Sequence, residues 1–379
     1  MTEYLKDMSS PEQKDPEMMR EHTSPRAVVS RDTRDRVLTP LANVSRRADL
    51  GELATRLAEL RDWLASDLSD LEQHLKSIDV QEKREVAWSA ANYLLEQRGK
   101  RVRPLCVMLA ARMGGRPLDA AVRDVAVACE LVHTATLLHD DVIDCGTDRR
   151  GVPSARMIYG NAASVLGGDH LLVESLRRIS RAFPKHVNSL LEVIDGMIRA
   201  EALQLDLRRA FTLSREQYLE VVDGKTAGLF CWGLRVGGEL GALAPTHVET
   251  LAGVGADLGM TFQLVDDVLD LDGDPTTTGK NAFADLREGK LTWPLILAAE
   301  HTPALGERIE RFVADERAIE DEEAAEIARA VIATGAVEAT RAEAAAYAGR
   351  ALDGLATLPA GTARLSLETV VETALSRSH

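Results

Sequence analysis

Residues 119–143, DAAVRDVAVACELVHTATLLHDDVI, place the strongest limit on the folds open to this chain. Their spacing predicts one long helix that is apolar on nearly every side, and such a helix has to lie inside a bundle of other helices. The phrase LLHDDVID then sets three aspartates directly against leucine, valine and isoleucine. A second apolar segment ends in the same way, with QLVDDVLD at 263–270. Any fold must therefore bury both segments and account for six aspartates.

The composition favours helices over strands. Hydrophobic residues make up 45% of the 379 residues but aromatic residues only 4%, so alanine and aliphatic side chains must fill the core. Alanine, leucine and glutamate are good helix formers, and alternating strand patterns and nucleotide-type glycine loops are absent from the sequence. We predict an all-α fold, a single large helical bundle over residues 49–379.

Hydrophobic periodicity places most of the helices. Leucines at helical spacing follow Asp49, a second helix covers VAWSAANYLLEQ, and the next has Pro104 in its first turn. Further helices are predicted at 119–143, 161–181, 186–208, 214–240, 246–271 and 291–301, and in the alanine- and glutamate-rich segments after 303. DRRGVPSARMIYG is predicted to be a loop. Residues 1–48 are polar and lack a sustained period, which predicts a disordered extension.

The net charge of −15 argues against nucleic-acid binding, because neutralising phosphates requires a surplus of lysine and arginine. Four well-separated cysteines make structural zinc a poor prediction and favour a reducing, cytoplasmic setting. The N-terminal segment lacks a signal-peptide h-region. We find no stretch of about 20 apolar residues and so predict no transmembrane segment.

The first acidic cluster is Asp140, Asp141 and Asp144. On a helix, Asp140 and Asp144 share a face, with Asp141 about 100° around the axis. The C-terminal end of a helix is already negative, so grouping carboxylates there is unfavourable unless a cation binds. Oxygen ligands that fill only part of a coordination shell suit Mg²⁺, which is completed by water and substrate phosphates.

The second cluster, Asp266, Asp267 and Asp270, repeats this pattern. A solvated helix end explains a single DDxxD motif, but it explains two copies in apolar helices poorly. DLDGD at 270–274 also begins like a calcium loop. The sixth position of that loop would be Pro275 instead of glycine, and the twelfth would be Asn281 instead of glutamate, so this alternative fails.

Basic residues surround both clusters in the sequence. They are Arg98, Lys100, Arg101 and Arg103 in RGKRVRP, Arg149 and Arg150 after the first cluster, and Lys225, Lys280 and Lys290 around the second. Singly, each is best explained as a surface charge. Together with two metal clusters they indicate a pocket for two polyphosphate groups. The absence of GxxxxGK[ST] argues against a P-loop nucleotide site.

These motifs, in this order, resemble the trans-polyprenyl diphosphate synthases, specifically the long-chain, octaprenyl-type subgroup. The matching phrases are RGKRVRP, ELVHTATLLHDDVIDCGTDRRG, GGDHLL, DGKTAGLF, FQLVDDVLD and GKNAFADLREGKLTWPL, and the likeness covers roughly residues 49–379. The resemblance implies an isoprenoid-synthase bundle with a central apolar tunnel. It also implies condensation of isopentenyl diphosphate with an allylic diphosphate such as farnesyl diphosphate.

The resemblance also implies residue roles. Mg²⁺, three ions per active site, would be held by Asp140, Asp141, Asp144, Asp266 and Asp270, with Asp267 and Lys225 also catalytic. Isopentenyl diphosphate would contact Lys100, Arg103, His133 and Arg150. The allylic diphosphate would contact Arg149, Lys225, Thr226, Gln263 and Lys280, with Lys290 near the same site.

Product length, by the same resemblance, depends on Thr136 and Ala135, one helical turn before Asp140. A bulky aromatic residue here gives short products in the family, so Ala135 predicts a long-chain product. The alternatives are a farnesyl or geranylgeranyl diphosphate synthase, a class I terpene cyclase, and a non-catalytic regulatory subunit. The resemblance further implies a homodimer and transient membrane contact during product release.

Overall fold

Helices form almost all of the chain that the computed structural model describes. Those residues are 51–76, 86–97, 99–149, 151–210, 214–272, 284–314 and 321–377. The only strands among them are a two-residue antiparallel pair. The all-α prediction is therefore confirmed, while the predicted disordered segment 1–48 lies outside the described residues.

Four helices open the described chain. They are α1 (Gly51–Trp63), α2 (Ala65–Lys76), α3 (Val86–Glu96) and α4 (Val102–Met113). The leucine repeat after Asp49 is thus divided between two helices, which meet at the buried Leu64. Leucines of both helices point into the core, as the helical spacing predicts.

The central helix is α5 (Ala120–Ile143), close to the predicted 119–143. The predicted loop that follows is partly wrong. Strands β1 (Asp148–Arg149) and β2 (Val152–Pro153) pair there as a small hairpin, and a short helix, α6 (Ala155–Tyr159), comes next. Helix α7 (Asn161–Ala182) then packs along α5.

A 3₁₀ turn (Pro184–His186) leads into α8 (Val187–Ala210). The single helix predicted for 214–240 is interrupted. It consists of α9 (Arg215–Val222), a π-helical turn (Asp223–Ala227) and α10 (Gly228–Leu240). Such turns are rare and occur frequently at functional sites. Helix α11 (Pro245–Asp272) follows and packs against α10.

The last helices in the description are α12 (Ala284–Arg287), α13 (Trp293–His301), α14 (Pro303–Ala314), α15 (Asp321–Ala333), α16 (Ala336–Ala356) and α17 (Thr362–Ser376). Helix α16 packs along α11, and α17 contacts α1, α4 and α11. Within the described ranges, no helix is long and apolar enough to cross a membrane.

The core is aliphatic, as the composition requires. One buried cluster combines residues of α1–α5 with α7 and α10, and a second surrounds the C-terminal half of α11 with α9 and α13–α16. Leucines such as Leu57, Leu131 and Leu258 are fully buried. Each contributes about 1.5–3 kcal/mol through removal of apolar surface from water. Both acidic clusters lie where α5 and α11 leave this core.

Glycine allows α10 and α11 to approach closely. A Cβ at Gly255 of α11 would lie 2.6 Å from the carbonyl oxygen of Phe230 and 2.7 Å from the Cα of Cys231, both in α10. The obstacle is backbone, which cannot rotate away. Gly253, two residues earlier, has nothing within 4 Å of the same position.

We predict that Gly255→Ala lowers the unfolding free energy by about 1–3 kcal/mol, because the added methyl group forces α10 and α11 apart. Gly253→Ala is the matched control and should be neutral or stabilising by up to about 1 kcal/mol, since alanine is the better helix former. Urea unfolding of the two variants measures the difference. Equal stabilities would contradict the close approach.

Candidate active site

Helix α5 carries the first acidic cluster at its C-terminal end. Asp119 caps the start of the helix by accepting a 2.9 Å hydrogen bond from the N–H of Ala121. At the other end, the N–H of Asp144 donates to the carbonyl of Asp140 at 2.8 Å. Cys145 then adopts a φ of 55°, which ends the helix. These local signals fix the aspartates on the last turn.

Asp144 is the most strongly neutralised member of the cluster. Its carboxylate accepts hydrogen bonds from Arg208 at 2.6 Å and from Lys290 Nζ at 2.7 Å. Burial alone would raise the pKa of Asp144, but Lys290 and Arg208 outweigh it and lower the pKa below its ordinary value. Asp144 therefore stays ionised.

Asp140 has a weaker partner. Lys225 Nζ lies 3.6 Å from its Oδ2, and the same ammonium pairs with Glu201 and donates to Gln204 at 3.0 Å. Burial raises the pKa of Asp140, Lys225 lowers it and Glu201 raises it, with a net rise. A divalent cation beside Asp140 would replace this incomplete compensation.

Asp141 is almost fully buried and uses one oxygen. Its Oδ1 accepts from Arg149 Nε at 2.7 Å. Its Oδ2 is buried without a hydrogen-bond partner among the described residues. Burial raises the pKa of Asp141, against the lowering effect of Arg149. A buried oxygen of this kind requires a partner.

The second cluster ends α11 in the same way. Asp266 Oδ1 accepts a hydrogen bond from Arg377, after α17, at 2.8 Å. Asp270 Oδ1 accepts one from the N–H of Asp285, in α12, at 3.2 Å. Two segments that are distant in the sequence therefore close over the end of α11.

Lys290 connects the two clusters. Its Nζ bonds to Asp144 of the first cluster at 2.7 Å and pairs with Glu288 at 2.5 Å and with Asp285 at 3.8 Å. Asp285 in turn donates its N–H to Asp270 of the second cluster. Burial alone would lower the pKa of Lys290, but the surrounding carboxylates raise it, so the ammonium stays charged. The ends of α5 and α11 are thus drawn to one site.

Asp267 differs from its neighbours because both of its oxygens are occupied by protein donors. It accepts from Tyr218 Oη at 2.6 Å, from the N–H of Trp293 at 2.9 Å and from Gln263 Nε2 at 2.9 Å. Burial outweighs the lowering effect of these donors and raises the pKa of Asp267 to about 7. The remaining oxygen of Gln263 accepts from Thr226 at 3.1 Å. Asp267 therefore orients Gln263 and Thr226.

The start of α4 and the middle of α5 hold the other predicted contacts. Arg103 lies over the ring of Phe230 at 4.5 Å, and its Nε is buried without a hydrogen-bond partner among the described residues. Phe230 stacks on Phe262 at 5.3 Å. Lys100 and His133 are half-buried. Arg103 is thus held by an aromatic face while donors remain available to a ligand.

In the described ranges, no three His, Cys, Asp or Glu side chains converge into a complete metal site. The donors present nevertheless fit Mg²⁺, which takes one or two carboxylates and completes its shell with water and substrate phosphates. The unpaired oxygen of Asp141 and the incompletely neutralised Asp140 are such donors.

The polyprenyl synthetase family model matches residues 84–331, well over half of the chain. The chain belongs to the polyprenyl synthetase family. It is 39% identical to octaprenyl diphosphate synthase of Escherichia coli over 219 residues, which are 57% of this chain and 68% of that protein. It is 34% identical over 226 residues to nonaprenyl diphosphate synthase of Mycobacterium tuberculosis, covering 60% and 68%.

Solved structures of this family share the fold. A polyprenyl synthase from Caulobacter crescentus, complexed with calcium and isoprenyl diphosphate, aligns with a TM-score of 0.76 at 35% identity. The alignment covers 86% of this chain and 98% of that one. The predicted family and its helical fold are confirmed.

For this polyprenyl synthetase, the structure brings most of the predicted site residues together, although their individual roles stay predictions. Lys225 pairs with Asp140, and Lys290 pairs with Asp144. Thr226, Gln263 and Asp267 form a hydrogen-bonded chain. Arg150 and Lys280 lie outside the described residues.

Other residues of this synthase site escaped the sequence analysis. Glu201, Gln204 and Arg208 of α8 contact Lys225 and Asp144. Their spacing of three and four residues places them on one helical face, a pattern that could have revealed them. Tyr218 and Arg377 carry no such local signal, because their aspartate partners are distant in the sequence.

We predict that Tyr218→Phe lowers the unfolding free energy by about 1–3 kcal/mol, because a buried carboxylate loses one of its donors. Tyr347→Phe is the control, since Tyr347 packs against the same core cluster and Arg350 lies over its ring at 4.0 Å. That variant should stay within about 0.5 kcal/mol of the parent. Urea titration of both proteins at neutral pH tests the prediction, and equal losses would refute it.

Proposed function

We propose that the chain is a prenyltransferase that joins isopentenyl diphosphate head to tail to an allylic diphosphate, giving a long-chain all-trans polyprenyl diphosphate and diphosphate. The observation that carries the proposal is the meeting of two carboxylate clusters through Lys290, with Lys225, Arg149 and Arg208 around them. Such a site suits an anion with several negative charges bound through cations.

Magnesium is the proposed metal, held by Asp140, Asp141 and Asp144 on one side and by Asp266 and Asp270 on the other. When bound, Mg²⁺ would neutralise the charge that develops on the departing diphosphate. The likeness to a synthase solved with calcium and isoprenyl diphosphate supports a divalent-metal site. The proposed site holds three Mg²⁺ ions.

The allylic diphosphate is assigned to Lys225, Arg149, Thr226 and Gln263, with Lys290 beside them. Thr226 donates to Gln263, which donates to Asp267, and these hydrogen bonds fix the polar groups before substrate binds. Fixed donors stabilise charge without reorganisation at the moment of reaction. Lys280 belongs here by sequence pattern.

Isopentenyl diphosphate is assigned to Lys100, Arg103 and His133, with Arg150 added by sequence pattern. The buried Nε of Arg103 supports this assignment, because a guanidinium held over Phe230 keeps its donors directed at a ligand. Burial lowers the pKa of Arg103 relative to an exposed arginine. An anionic ligand would offset that penalty.

The reaction then follows in three electron-balanced events. The allylic C–O bond breaks, and its electron pair leaves with the diphosphate that Lys225 and Arg149 hold. The double bond of isopentenyl diphosphate attacks the allylic carbon and forms the new C–C bond. A proton is lost from the adjacent carbon to the released diphosphate, which restores an alkene. The apolar residues around the aspartates keep water from the cation.

Product length is proposed to depend on the depth of an apolar tunnel below Asp140. Ala135 is fully buried and lies about one helical turn before that aspartate, with Thr136 beside it. A small side chain here leaves room for a long prenyl chain. The relatives named octaprenyl and nonaprenyl diphosphate synthase support the long-chain assignment. The alternatives are a farnesyl or geranylgeranyl product.

The deciding experiment incubates the full chain with Mg²⁺, labelled isopentenyl diphosphate and farnesyl diphosphate, then sizes the dephosphorylated products. Products well beyond geranylgeraniol support the proposal. Products that stop at geranylgeraniol support the proposed reaction but contradict the proposed long-chain product. If no allylic primer gives product, the chain is a regulatory subunit. Cyclic hydrocarbons formed without isopentenyl diphosphate would indicate a terpene cyclase.

We predict that Ala135→Phe shortens the main product, because the ring fills the space that the growing chain would enter. Ala121→Phe, which adds the same ring near the start of α5, is the control and should leave product length unchanged. Chromatography of the products from both variants measures the effect. An unchanged product from a folded, active Ala135→Phe protein would remove Ala135 from the tunnel wall.

We propose that the protein is a homodimer through α6, α7 and α8. Met157, Leu166, Val173 and Ile198 are each more than half exposed, at 51–62%. Leu166 and Val173 are seven residues apart on α7, and so are Leu191 and Ile198 on α8, which makes two apolar stripes on adjacent helices. Contiguous exposed apolar surface of this kind marks an interaction site.

We predict that Leu166→Glu shifts the protein toward its 41.2 kDa monomer, because a carboxylate would be buried in the interface. Leu365→Glu is the control, since Leu365 is equally exposed but lies apart, on α17. Sedimentation equilibrium gives the mass. A Leu166→Glu dimer as stable as the parent would place the interface elsewhere.

A cytoplasmic location is also proposed. All four cysteines, Cys106, Cys129, Cys145 and Cys231, are free thiols, which suits a reducing compartment. The substrates proposed here are water-soluble diphosphates, whereas a long product is lipidic. Transient contact with a membrane surface during product release therefore belongs to the same proposal.

A further inference from the structure

Arg101 is a buried arginine in an unusual backbone conformation. Its φ of 47° and ψ of 34° fall in the left-handed region, which is unfavourable for a residue with a Cβ. Only 3% of Arg101 is exposed. It stands directly before α4, between Lys100 and Arg103, the two basic residues assigned to isopentenyl diphosphate. Such a conformation persists only where the surrounding contacts enforce it.

Three contacts enforce it, each from a different helix. Arg101 Nε pairs with Glu72 of α2 at 2.9 Å, and a terminal nitrogen pairs with Glu130 of α5 at 2.5 Å. The other terminal nitrogen donates to the carbonyl of Leu95 in α3 at 2.6 Å. All three nitrogens of the planar guanidinium therefore bind an acceptor, an arrangement that the single ammonium of lysine cannot reproduce.

The positive charge of Arg101 is compensated within the fold by two carboxylates. Burial alone would lower the pKa of Arg101, but Glu130 and Glu72 raise it, so the guanidinium stays charged. Glu72 and Glu130 are themselves almost fully buried. A buried ion pair loses much of its Coulomb energy to desolvation, and such groups can be retained for the geometry that they impose.

The geometry imposed here involves all three described residues assigned to isopentenyl diphosphate. Lys100 immediately precedes Arg101, and Arg103 follows it by two residues. His133 follows Glu130 by three residues on α5, so the two side chains are neighbours on that helix. Glu130 also acts on the Arg103 guanidinium electrostatically. Arg101 thus holds the turn that carries Lys100 and Arg103 against α5, the helix that carries His133.

We propose that Arg101 is a positioning residue for isopentenyl diphosphate: through Glu72, Glu130 and the Leu95 carbonyl it sets the relative placement of Lys100, Arg103 and His133. This inference rests on the proposed function. Arg101 does not touch the substrate in this scheme. Its loss should therefore weaken binding of one substrate while leaving unchanged the allylic contacts Lys225, Thr226 and Gln263, which lie on other segments.

The chain offers a matched control at the other end of the same helix. Arg112, in the last turn of α4, donates from Nε to Asp67 of α2 at 3.0 Å. It therefore ties α4 to α2 as Arg101 does, but none of the assigned substrate contacts flanks it. Arg112→Lys therefore measures the effect on the kinetics of weakening the contact between α4 and α2 alone.

The test compares Arg101→Lys with Arg112→Lys in the full chain, using steady-state kinetics for both substrates. We expect Arg101→Lys to raise the KM for isopentenyl diphosphate about tenfold, equivalent to about 1.4 kcal/mol of binding free energy. Its KM for farnesyl diphosphate and its kcat at saturation should stay within about twofold of the parent. Arg112→Lys should leave both KM values unchanged.

Calorimetric titration with isopentenyl diphosphate provides a second readout that needs no turnover, and Arg101→Lys should show the same loss. If Arg101→Lys does not fold, Glu72→Gln replaces it. That variant keeps an acceptor for Nε but removes one charge, and the KM for isopentenyl diphosphate should again rise selectively.

An unchanged KM for isopentenyl diphosphate in a folded variant would overturn the inference. So would equal rises for both substrates in the Arg101 and Arg112 variants, since these would show a general loss of stability. A parent protein that neither binds isopentenyl diphosphate nor makes product would overturn the proposed function, and the inference with it. These results are distinguishable because the parent and Arg112→Lys proteins are measured alongside.

Discussion

The burial of carboxylates at the negative ends of two apolar helices is the constraint on which this structure depends. Helices α5 and α11 each end their apolar run with aspartates, where the helix dipole already disfavours negative charge. The fold compensates with basic side chains drawn from distant segments. Arg208 comes from α8, Lys225 from the π-helical turn, Lys290 from the segment before α13 and Arg377 from the end of the described chain. Electrostatics thus determines which helices have to meet.

Compensation is unequal among the aspartates of the two clusters. Asp144 is fully balanced by two cations, and Asp267 is satisfied by three neutral donors. Asp140 and Asp141 keep a deficit that protein groups do not fill. The same motif therefore holds carboxylates whose charge or hydrogen-bonding capacity the protein itself satisfies and carboxylates that it leaves with a deficit. Aspartates of two copies of one short motif thus differ in their contacts because the packing around them differs.

The sequence was sufficient for the fold and the family because both rest on local signals. Periodicity predicts the long helices, including the central helix α5. The sequence was less sufficient for predicting which side chains form hydrogen bonds with one another. The hydrogen bonds that Asp267 accepts from Tyr218 and from the N–H of Trp293 depend on packing between segments far apart in the chain. No local sequence pattern encodes that packing. The interruption of the helix at Asp223–Ala227 was missed for a related reason, since its residues are compatible with an ordinary α-helix.

That interruption has a consequence for the length of the chain. The segment from α9 to α10 serves both clusters, with Tyr218 contacting Asp267 and Lys225 facing Asp140. A π-helical turn holds one residue more than an α-helical turn would. Deleting one residue there would restore a regular helix and yet rotate Tyr218 by about 100° relative to Lys225. The segment therefore depends on its residue count as well as on these two side chains, because both have to reach their aspartates at once.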